Sequence, residues 1–338
     1  MTNTSTNTKV RVVVGMSGGV DSFAAAKLLV DAGYDVVGLT IKLHQYADDE
    51  AGGCCTFNDI RDASICCERL GIEHHVIPML KPFKHNVVDK FLDAERSGVH
   101  INPCVGCNSD IKFPFFYQAA KALKADYIAT GHYVKNVRLP DGTVAPGIGS
   151  TKDQSYFLWD VSRDILTNTL FPLGDISSKD QTRELVGDVF PRVAKKKDST
   201  DLCFLNGKSR KEYLTENGIE TKPSVGQKIN GKYYLGIIAG NDSFATNSAD
   251  PQLYSDKIAC DAIKVHCTKE LFDRLLGEGD LYVVTRSNAY ERTALSSVDH
   301  LTSTFVLATP SKRTSPGQAA VVYSHKYAAV VAGGVITN

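Results

Sequence analysis

The sequence predicts an α/β protein: an N-terminal open parallel sheet with helices on both faces, followed by small β-rich modules in the centre and at the C-terminus. Three observations carry this reading. Over the first third of the chain, β-branched runs alternate with helix-length amphipathic stretches, the pattern of parallel strands joined by covering helices. The first of those runs ends in a glycine-rich turn that opens a helix. After about residue 205 the segments shorten, and Gly, Asn, Thr and Ser punctuate them. With 338 residues, 43% hydrophobic and 22% charged, the chain is long enough for two or three globular domains and is not compositionally disordered.

The elements follow in order. Residues 10–14 form the first strand, ending at Gly15. Residues 23–32 read as a helix stopped by Gly33, and residues 35–43 as the second strand. Asn58 caps a helix running to Leu70, with Ile60, Ala63, Cys67 and Leu70 on one face and Gly71 at its end. A third strand spans 75–79, helices span 83–96 and 113–123, and a further strand spans 126–130. Right-handed crossovers stack these strands into an open sheet. Later strands are expected at 224–234, 281–286, 304–308, 319–323 and 328–336. The divisions drawn are 1–205 for a catalytic domain, 206–275 for a small central one and 276–338 for a β-rich C-terminal one. No internal repeat or low-complexity tract interrupts them.

Composition narrows location and partners. No run of about 18 apolar residues exists, so no membrane partner is expected. The first eight residues lack the apolar core of a signal peptide and read as a polar tail. Nine cysteines are too few for a disulfide scaffold, which points to reduced thiols and a cytoplasmic location. Thirty-eight basic residues balance 38 acidic ones, arguing against indiscriminate nucleic-acid coating. Residues 192–211 nevertheless carry a local charge of +5 around Cys203, either a solvated face or a phosphate-neutralising footprint.

The first strand leads into Gly15, Met16, Ser17, Gly18, Gly19, Val20, Asp21 and Ser22. Two adjacent glycines let the backbone turn its N–H groups toward an anion, two serines add donors, and the helix start adds its dipole. Gly-Lys-Ser/Thr is missing, so this is not a Walker A loop. Asp21 suits a phosphate cradle when a divalent cation bridges it to the phosphates, and Mg2+ takes hard oxygen ligands. The Ser17–Ser22 run resembles the PP-loop of ATP pyrophosphatases, which split ATP between its α and β phosphates and adenylylate a substrate oxygen.

Further motifs are Asn102-Pro103-Cys104-Val105-Gly106-Cys107-Asn108, Thr130-Gly131-His132-Tyr133, Lys152-Asp153-Gln154-Ser155-Tyr156-Phe157-Leu158, and Lys195-Lys196-Lys197-Asp198-Ser199-Thr200-Asp201-Leu202-Cys203-Phe204. In this order they resemble the tRNA-specific 2-thiouridylase family over about residues 11–205, and again in Ser315-Pro316-Gly317-Gln318 and Gly333-Gly334-Val335-Ile336. The resemblance implies a PP-loop, adenine-nucleotide α-hydrolase-like fold with a β-barrel-like C-terminal module. It further implies ATP and Mg2+ as cofactors, tRNA as substrate and a sulfur-donor protein as partner. Uracil C2 is a poor electrophile whose oxygen leaves badly. Adenylylation makes that oxygen a leaving group, and a thiolate with lowered pKa then supplies sulfur. Lys195–Lys197 beside Cys203 suit that lowering, and the resemblance gives Cys203 the persulfide and Cys107 the attack that releases sulfur.

The resemblance also places Ile41 at adenine and Gly131 against the nucleotide, with Asn102, Pro103 and Cys104 around the flipped base. His132, Lys152, Asp153, Gln154, Arg286 and Gln318 are the expected tRNA or target-base contacts. Two departures stand out. Many family members carry Asp where this chain has Cys104, so Cys104, Cys107 and Cys203 offer either persulfide–disulfide cycling or three ligands to a 4Fe-4S cluster. The family's Gly-Gln-Arg-x-Gly-Leu-like loop is replaced by Tyr233-Tyr234-Leu235-Gly236-Ile237-Ile238, which leaves open how the tRNA body is held. Cys54, Cys55, Cys66 and Cys67 suggest a four-thiol metal site, but Cys67 falls on the apolar helix face and reads as a core thiol. Cys260 and Cys267 read as structural. A PP-loop ligase acting on a small molecule, and an iron–sulfur tRNA-binding protein without ATP turnover, are the competing readings.

Overall fold

The computed structural model describes residues 9–44, 56–198, 201–238, 241–287 and 291–337, so the N-terminal tail, Cys54 and Cys55 lie outside the described residues. Strands β1 (Arg11–Gly15), β2 (Asp35–Lys42), β3 (Glu73–Pro78) and β4 (Tyr127–Ala129) begin a parallel sheet. The chain then leaves it as an antiparallel hairpin, β5 (Val134–Arg138) and β6 (Val144–Ile148), and returns as β7 (Thr169–Leu170). The order is β3-β2-β1-β4-β7, with every neighbouring pair parallel. Alternation along β1 divides the core between the two faces. Val12 and Val14 join Phe23, Ala63 and Cys67 from helices α1 (Val20–Asp31) and α2 (Phe57–Leu70), while Val13 joins Phe91, Phe113 and Phe116.

Several boundaries differ from expectation. Helix α1 begins at Val20 rather than 23, because Gly19 takes the extended N-cap conformation (φ −96°, ψ 164°) and Asp21 and Ser22 fall in the first turn. Thr56, not Asn58, caps α2. Its Oγ1 accepts from Asp59 N–H (3.1 Å), and Asp59 accepts from Thr56 N–H (3.0 Å), a reciprocal capping box. The face buried along α2 holds Asp62, Ala63, Cys66 and Cys67, whereas Ile60 and Leu70 are half-buried. The helical segment expected over 83–96 starts at Leu80 and passes through a π-type stretch, Lys84–Asp89. A second π-type stretch, Cys107–Lys112, precedes Phe113–Ala122; Cys107 opens it, and such stretches concentrate at functional sites.

In the second half, β8 (Lys228–Ile229), β9 (Lys232–Ile238) and β10 (Asn241–Ala245) make a small antiparallel sheet where one long strand was expected over 224–234. The turn Asn230-Gly231, with both residues at positive φ, divides that run into a hairpin. Strands β11 (Tyr254–Ala259), β12 (Lys264–Val265), β13 (Leu281–Val284), β14 (Thr293–Asp299), β15 (Thr304–Lys312), β16 (Ala319–Ser324) and β17 (Ala329–Val335) form the larger sheet, in the order β11-β15-β14-β13-β16-β17-β6-β5, with β12 on β17. A single bridge, Cys260 to Ile336, brings the end of β11 back to the end of β17, so the strands curl without a full closing ladder. Hairpin β5–β6 adds to this sheet through Ala329 and Gly147, and pairing therefore crosses the division drawn at residue 205.

Candidate functional site

Strand β1 lies between β2 and β4, where the strand order reverses. In an open parallel sheet that reversal leaves a ligand crevice above the carboxyl ends of the strands. The glycine-rich loop sits there. Gly18 has φ +72°, and a Cβ on it would lie 2.1 Å from the Asp59 carbonyl oxygen, so both the conformation and the space demand glycine. Ser22 Oγ donates to the Gly19 carbonyl (3.0 Å) and accepts from Ser17 N–H (3.2 Å), while Gly19 N–H donates to Ser17 Oγ (3.4 Å). No side chain caps α1, which leaves its first-turn N–H groups to an anion. Gly131, just after β4, closes the other side; a Cβ there would lie 2.6 Å from the Asp21 carbonyl carbon.

Beneath the loop, Met16 N–H donates to Leu39 O (2.9 Å), and Thr40 Oγ1 donates to Met16 O (2.7 Å). Thr40 has one hydroxyl hydrogen, so His74 Nε2, 2.8 Å away, must donate to it. His74 Nδ1 lies 2.9 Å from Ser64 Oγ. Burial lowers the His74 pKa, with His75 adding to the effect. Val20 and Ile41 are buried in the apolar clusters on either face and support the loop from the core.

An ionic network surrounds the loop. Asp21 Oδ1 accepts from Lys179 Nζ (2.6 Å) and Tyr133 OH (2.7 Å). Lys179 also reaches Asp198 (3.0 Å), which takes Lys152 (2.7 Å) and Arg183 (3.2 Å) as well. Burial pulls the Asp198 carboxyl upward, but hydrogen bonds and charge from Lys152 and Lys179 outweigh it and hold the pKa below its ordinary value. Lys196 Nζ donates to the Gly18 carbonyl (3.0 Å), Asp59 Oδ1 (2.7 Å) and Asp62 Oδ2 (2.8 Å). Desolvation lowers the Lys196 pKa, yet the two carboxylates more than reverse this and raise it. Lys196 is thus committed to the nucleotide loop, where the sequence suggested a cation acting on Cys203.

Cys107 is buried and Cys203 half-buried, and both border the apolar cluster built around Phe83, Phe91, Phe113 and Phe204. Cys203 opens a short turn whose Phe204 and Leu205 are buried, Phe204 packing on Phe91 with ring centroids 5.2 Å apart. Its Sγ lies 3.8 Å from His44 Nε2, and burial lowers the His44 pKa to about 4. Asn102 Oδ1 accepts from Cys104 N–H (3.1 Å), and Pro103 is buried. Among the described residues, no three His, Cys, Asp or Glu side chains, Cys104, Cys107 and Cys203 included, are grouped to hold a metal ion. Cys66 and Cys67 are fully buried, with thiols pushed up to about 12 by desolvation, which agrees with the core reading of Cys67. Cys260 and Cys267 are buried too.

The expected tRNA contacts are distributed as follows. Lys152 pairs with Asp198. Asp153 Oδ1 accepts from the N–H groups of Gly149 and Ser155, and Gln154 Oε1 accepts from Tyr133 N–H (2.9 Å). His132 Nδ1 lies 2.8 Å from Thr130 Oγ1, and desolvation followed by the charge of Lys112 lowers its pKa to about 3. The Gln318 amide donates to the His100 carbonyl and so braces the chain just before Asn102. Arg286 is exposed, beside a cavity of about 370 Å³ that Lys312 and Glu291 also line. Sequence reasoning missed His44, Asp59, Asp62, Lys179 and Arg183; His44 follows β2 with nothing local to mark it, and the local mark of Asp59 is its capping-box spacing from Thr56.

A glycine cradle at the switch point of a parallel sheet, with an uncapped helix start behind it, defines an adenine-nucleotide-binding α/β protein of the PP-loop class. The family model for the tRNA methyl transferase HUP domain matches residues 10–207. A tRNA-specific 2-thiouridylase of Lachnoclostridium phytofermentans is 31% identical over 96% of this chain and 99% of its own. One from Bacillus mycoides is 41% identical, over 66% of this chain and 60% of its own. Among solved structures, a 4-thiouridine synthetase–RNA complex with bound ATP is 16% identical over 61% of this chain and 49% of its own, with a TM-score of 0.38. The chain belongs to the tRNA-specific 2-thiouridylase family.

Proposed function

We propose that the protein thiolates C2 of a tRNA uridine with ATP, acting as a tRNA-uridine 2-sulfurtransferase that releases AMP and pyrophosphate. The observation that carries this is the cradle: Gly18 and Gly131 let the backbones of Asp59 and of Asp21–Ser22 approach where a Cβ would clash, and the uncapped start of α1 beside them presents donors that suit phosphate. Ser17, Gly19, Ser22 and the start of α1 hold the phosphates, and Ile41 and Gly131 flank the nucleoside. Asp21 would hold Mg2+, which supplies charge to the departing pyrophosphate, with Lys179 at the same carboxylate.

In the first step the C2 oxygen attacks the α phosphorus and pyrophosphate leaves. In the second, Cys107 thiolate attacks the persulfide on Cys203. The terminal sulfur leaves as hydrosulfide and displaces AMP from C2, and a Cys107–Cys203 disulfide forms. That disulfide is reduced by an external thiol before the next cycle. A sulfur-donor protein reloads Cys203. Asn102, Pro103, Cys104 and His132 would frame the extruded base, while Arg286, Gln318 and the Lys152–Gln154 segment stand on the tRNA side. Cys107 is a buried member of the apolar cluster on one face of the sheet, and Cys203 packs against that same cluster. We assign the work to the cytoplasm, and the three divisions at 205 and 275 to catalytic, central and C-terminal units.

Purified protein given unmodified tRNA, ATP, Mg2+, a persulfide donor and a thiol reductant should form 2-thiouridine, measured by mass spectrometry of digested tRNA. Cys203→Ser should form none. Full thiolation by Cys203→Ser overturns the assignment.

A further inference from the structure

The lysine run before Cys203 contains one member whose environment differs from its neighbours. Lys195 and Lys197 are exposed, but the Lys196 ammonium is inserted among three acceptors: the Gly18 carbonyl, Asp59 and Asp62. An ammonium has three hydrogens, and the geometry supplies one acceptor for each. Asp62 is fully buried, and its other carboxylate oxygen faces Arg192 at 3.3 Å. The pair Asp59 and Asp62 thus fixes where the ammonium sits, and the ammonium fixes Gly18.

The Gly18 carbonyl matters because of the peptide it belongs to. In a trans peptide the carbonyl and the following N–H point opposite ways, so holding the Gly18 oxygen sets the direction of the Gly19 N–H. Gly19 is the N-cap of α1, and its N–H, which donates to Ser17 Oγ (3.4 Å), lies inside the loop. Gly18 itself is held at φ +72°, packed close against the Asp59 backbone. Two residues further on, Asp198 grips Lys179, which grips Asp21. Residues 196–198 therefore touch the loop at Gly18 and, through Lys179, at Asp21, and Cys203 follows five residues later.

We infer that Lys196 is a positioning residue for the nucleotide: it orients the Gly18–Gly19 peptide and ties the phosphate loop to the chain that carries Cys203, so that ATP occupancy and the placement of that chain are coupled. Coupling of this kind is reciprocal, since whatever holds residues 196–198 in place also favours the loop conformation that binds phosphate. The inference rests on the reading of residues 15–22 as the ATP loop.

The test uses the full chain without tRNA and α,β-methylene-ATP with Mg2+, an analogue that resists cleavage between the α and β phosphates. Calorimetry should show Lys196→Met binding it about tenfold more weakly than the parent, the range of an ordinary coupling energy. Arg192→Met removes the other cation at Asp62 without touching Gly18, and should stay within about threefold, because Arg192 is exposed and Lys196 still pairs with Asp62. Lys196→Met/Asp62→Asn, which removes the fully buried carboxylate that the single variant strips of Lys196 and leaves Asp59 to its capping box, should be as weak as the single variant. As a second readout, the analogue should slow alkylation of Cys203, followed by peptide mass spectrometry, in the parent but not in Lys196→Met. Parent-like affinity in either Lys196 variant overturns the inference. So does an equal loss in Arg192→Met, which would trace the effect to Asp62 alone, or an unchanged alkylation response. If the parent itself fails to bind the analogue, it is the ATP-loop reading that fails.

Discussion

Gly131→Ala is the sharpest steric probe of the nucleotide crevice. The added Cβ would lie 2.6 Å from the Asp21 carbonyl carbon, 2.7 Å from Ser22 N and 2.8 Å from Asp21 O. All three are backbone atoms in the first turn of α1, so no flexible side chain can yield. Ordinary carbon contacts sit at about 3.5–4.0 Å, so the turn must retreat by about 1 Å. Gly131 is not among the residues at positive φ, so alanine adds no backbone strain and the effect is contact alone. Overpacking of this kind costs about 1–3 kcal/mol of stability. A 1 Å displacement of a catalytic group costs about 100-fold in rate, or about 2.7 kcal/mol of barrier. Pyrophosphate release with unmodified tRNA should fall by that factor, while tRNA retention on filters without ATP stays at the parent level. Gly187→Ala is the control, because its methyl meets nothing closer than the Ala194 Cβ at 3.9 Å. A folded Gly131→Ala protein that releases pyrophosphate within about twofold of the parent would refute the steric argument.

Three further outcomes are expected. Cys107→Ser should abolish 2-thiouridine while retaining pyrophosphate release, read by running both assays on one preparation; loss of both would place Cys107 in the first step. Thr56→Ala removes one half of the capping box and should cost about 1 kcal/mol in urea unfolding. His44 and His132 are held neutral by burial, with pKa values lowered from 6.5 to about 4 and about 3. Below pH 6.5 the unfolded chain binds protons that the folded one refuses, so their contribution to stability is full above that pH. It declines as pH falls toward the folded values. His132→Gln should flatten the decline in the urea midpoint between pH 6.5 and 4, and an unchanged slope would contradict the burial argument.

What the sequence revealed, and what it concealed, follows from the range of the interactions. The loop from Gly15 to Ser22 was legible because its demands are local: glycines where the backbone turns, and hydroxyls within five residues of each other. The strands of the parallel sheet were legible for the same reason, since Val12, Val13 and Val14 are buried on both faces and read as an unbroken apolar run. The hairpin from Val134 to Ile148 was not, because Gly147 finds its partner at Ala329 in a distant part of the chain. The network around Asp21 was equally hidden: Lys179 lies 158 residues from it, and Lys196 lies 134 from Asp62. Asp62 is buried on α2 although it lies off the face expected from Ile60, Ala63, Cys67 and Leu70, and a buried carboxylate needs a partner that the local sequence does not name. The capping box was legible in principle, since Thr56 and Asp59 have the required spacing, and Asn58 was a decoy two residues inside it.

In the proposed reaction ATP activates the uridine C2 oxygen itself. The direct measurement is thiolation of a tRNA whose target uridine carries ¹⁸O at C2, followed by mass spectrometry of the released nucleotide. AMP carrying one ¹⁸O per 2-thiouridine formed is the result expected. Unlabelled AMP, or ADP in its place, would contradict it.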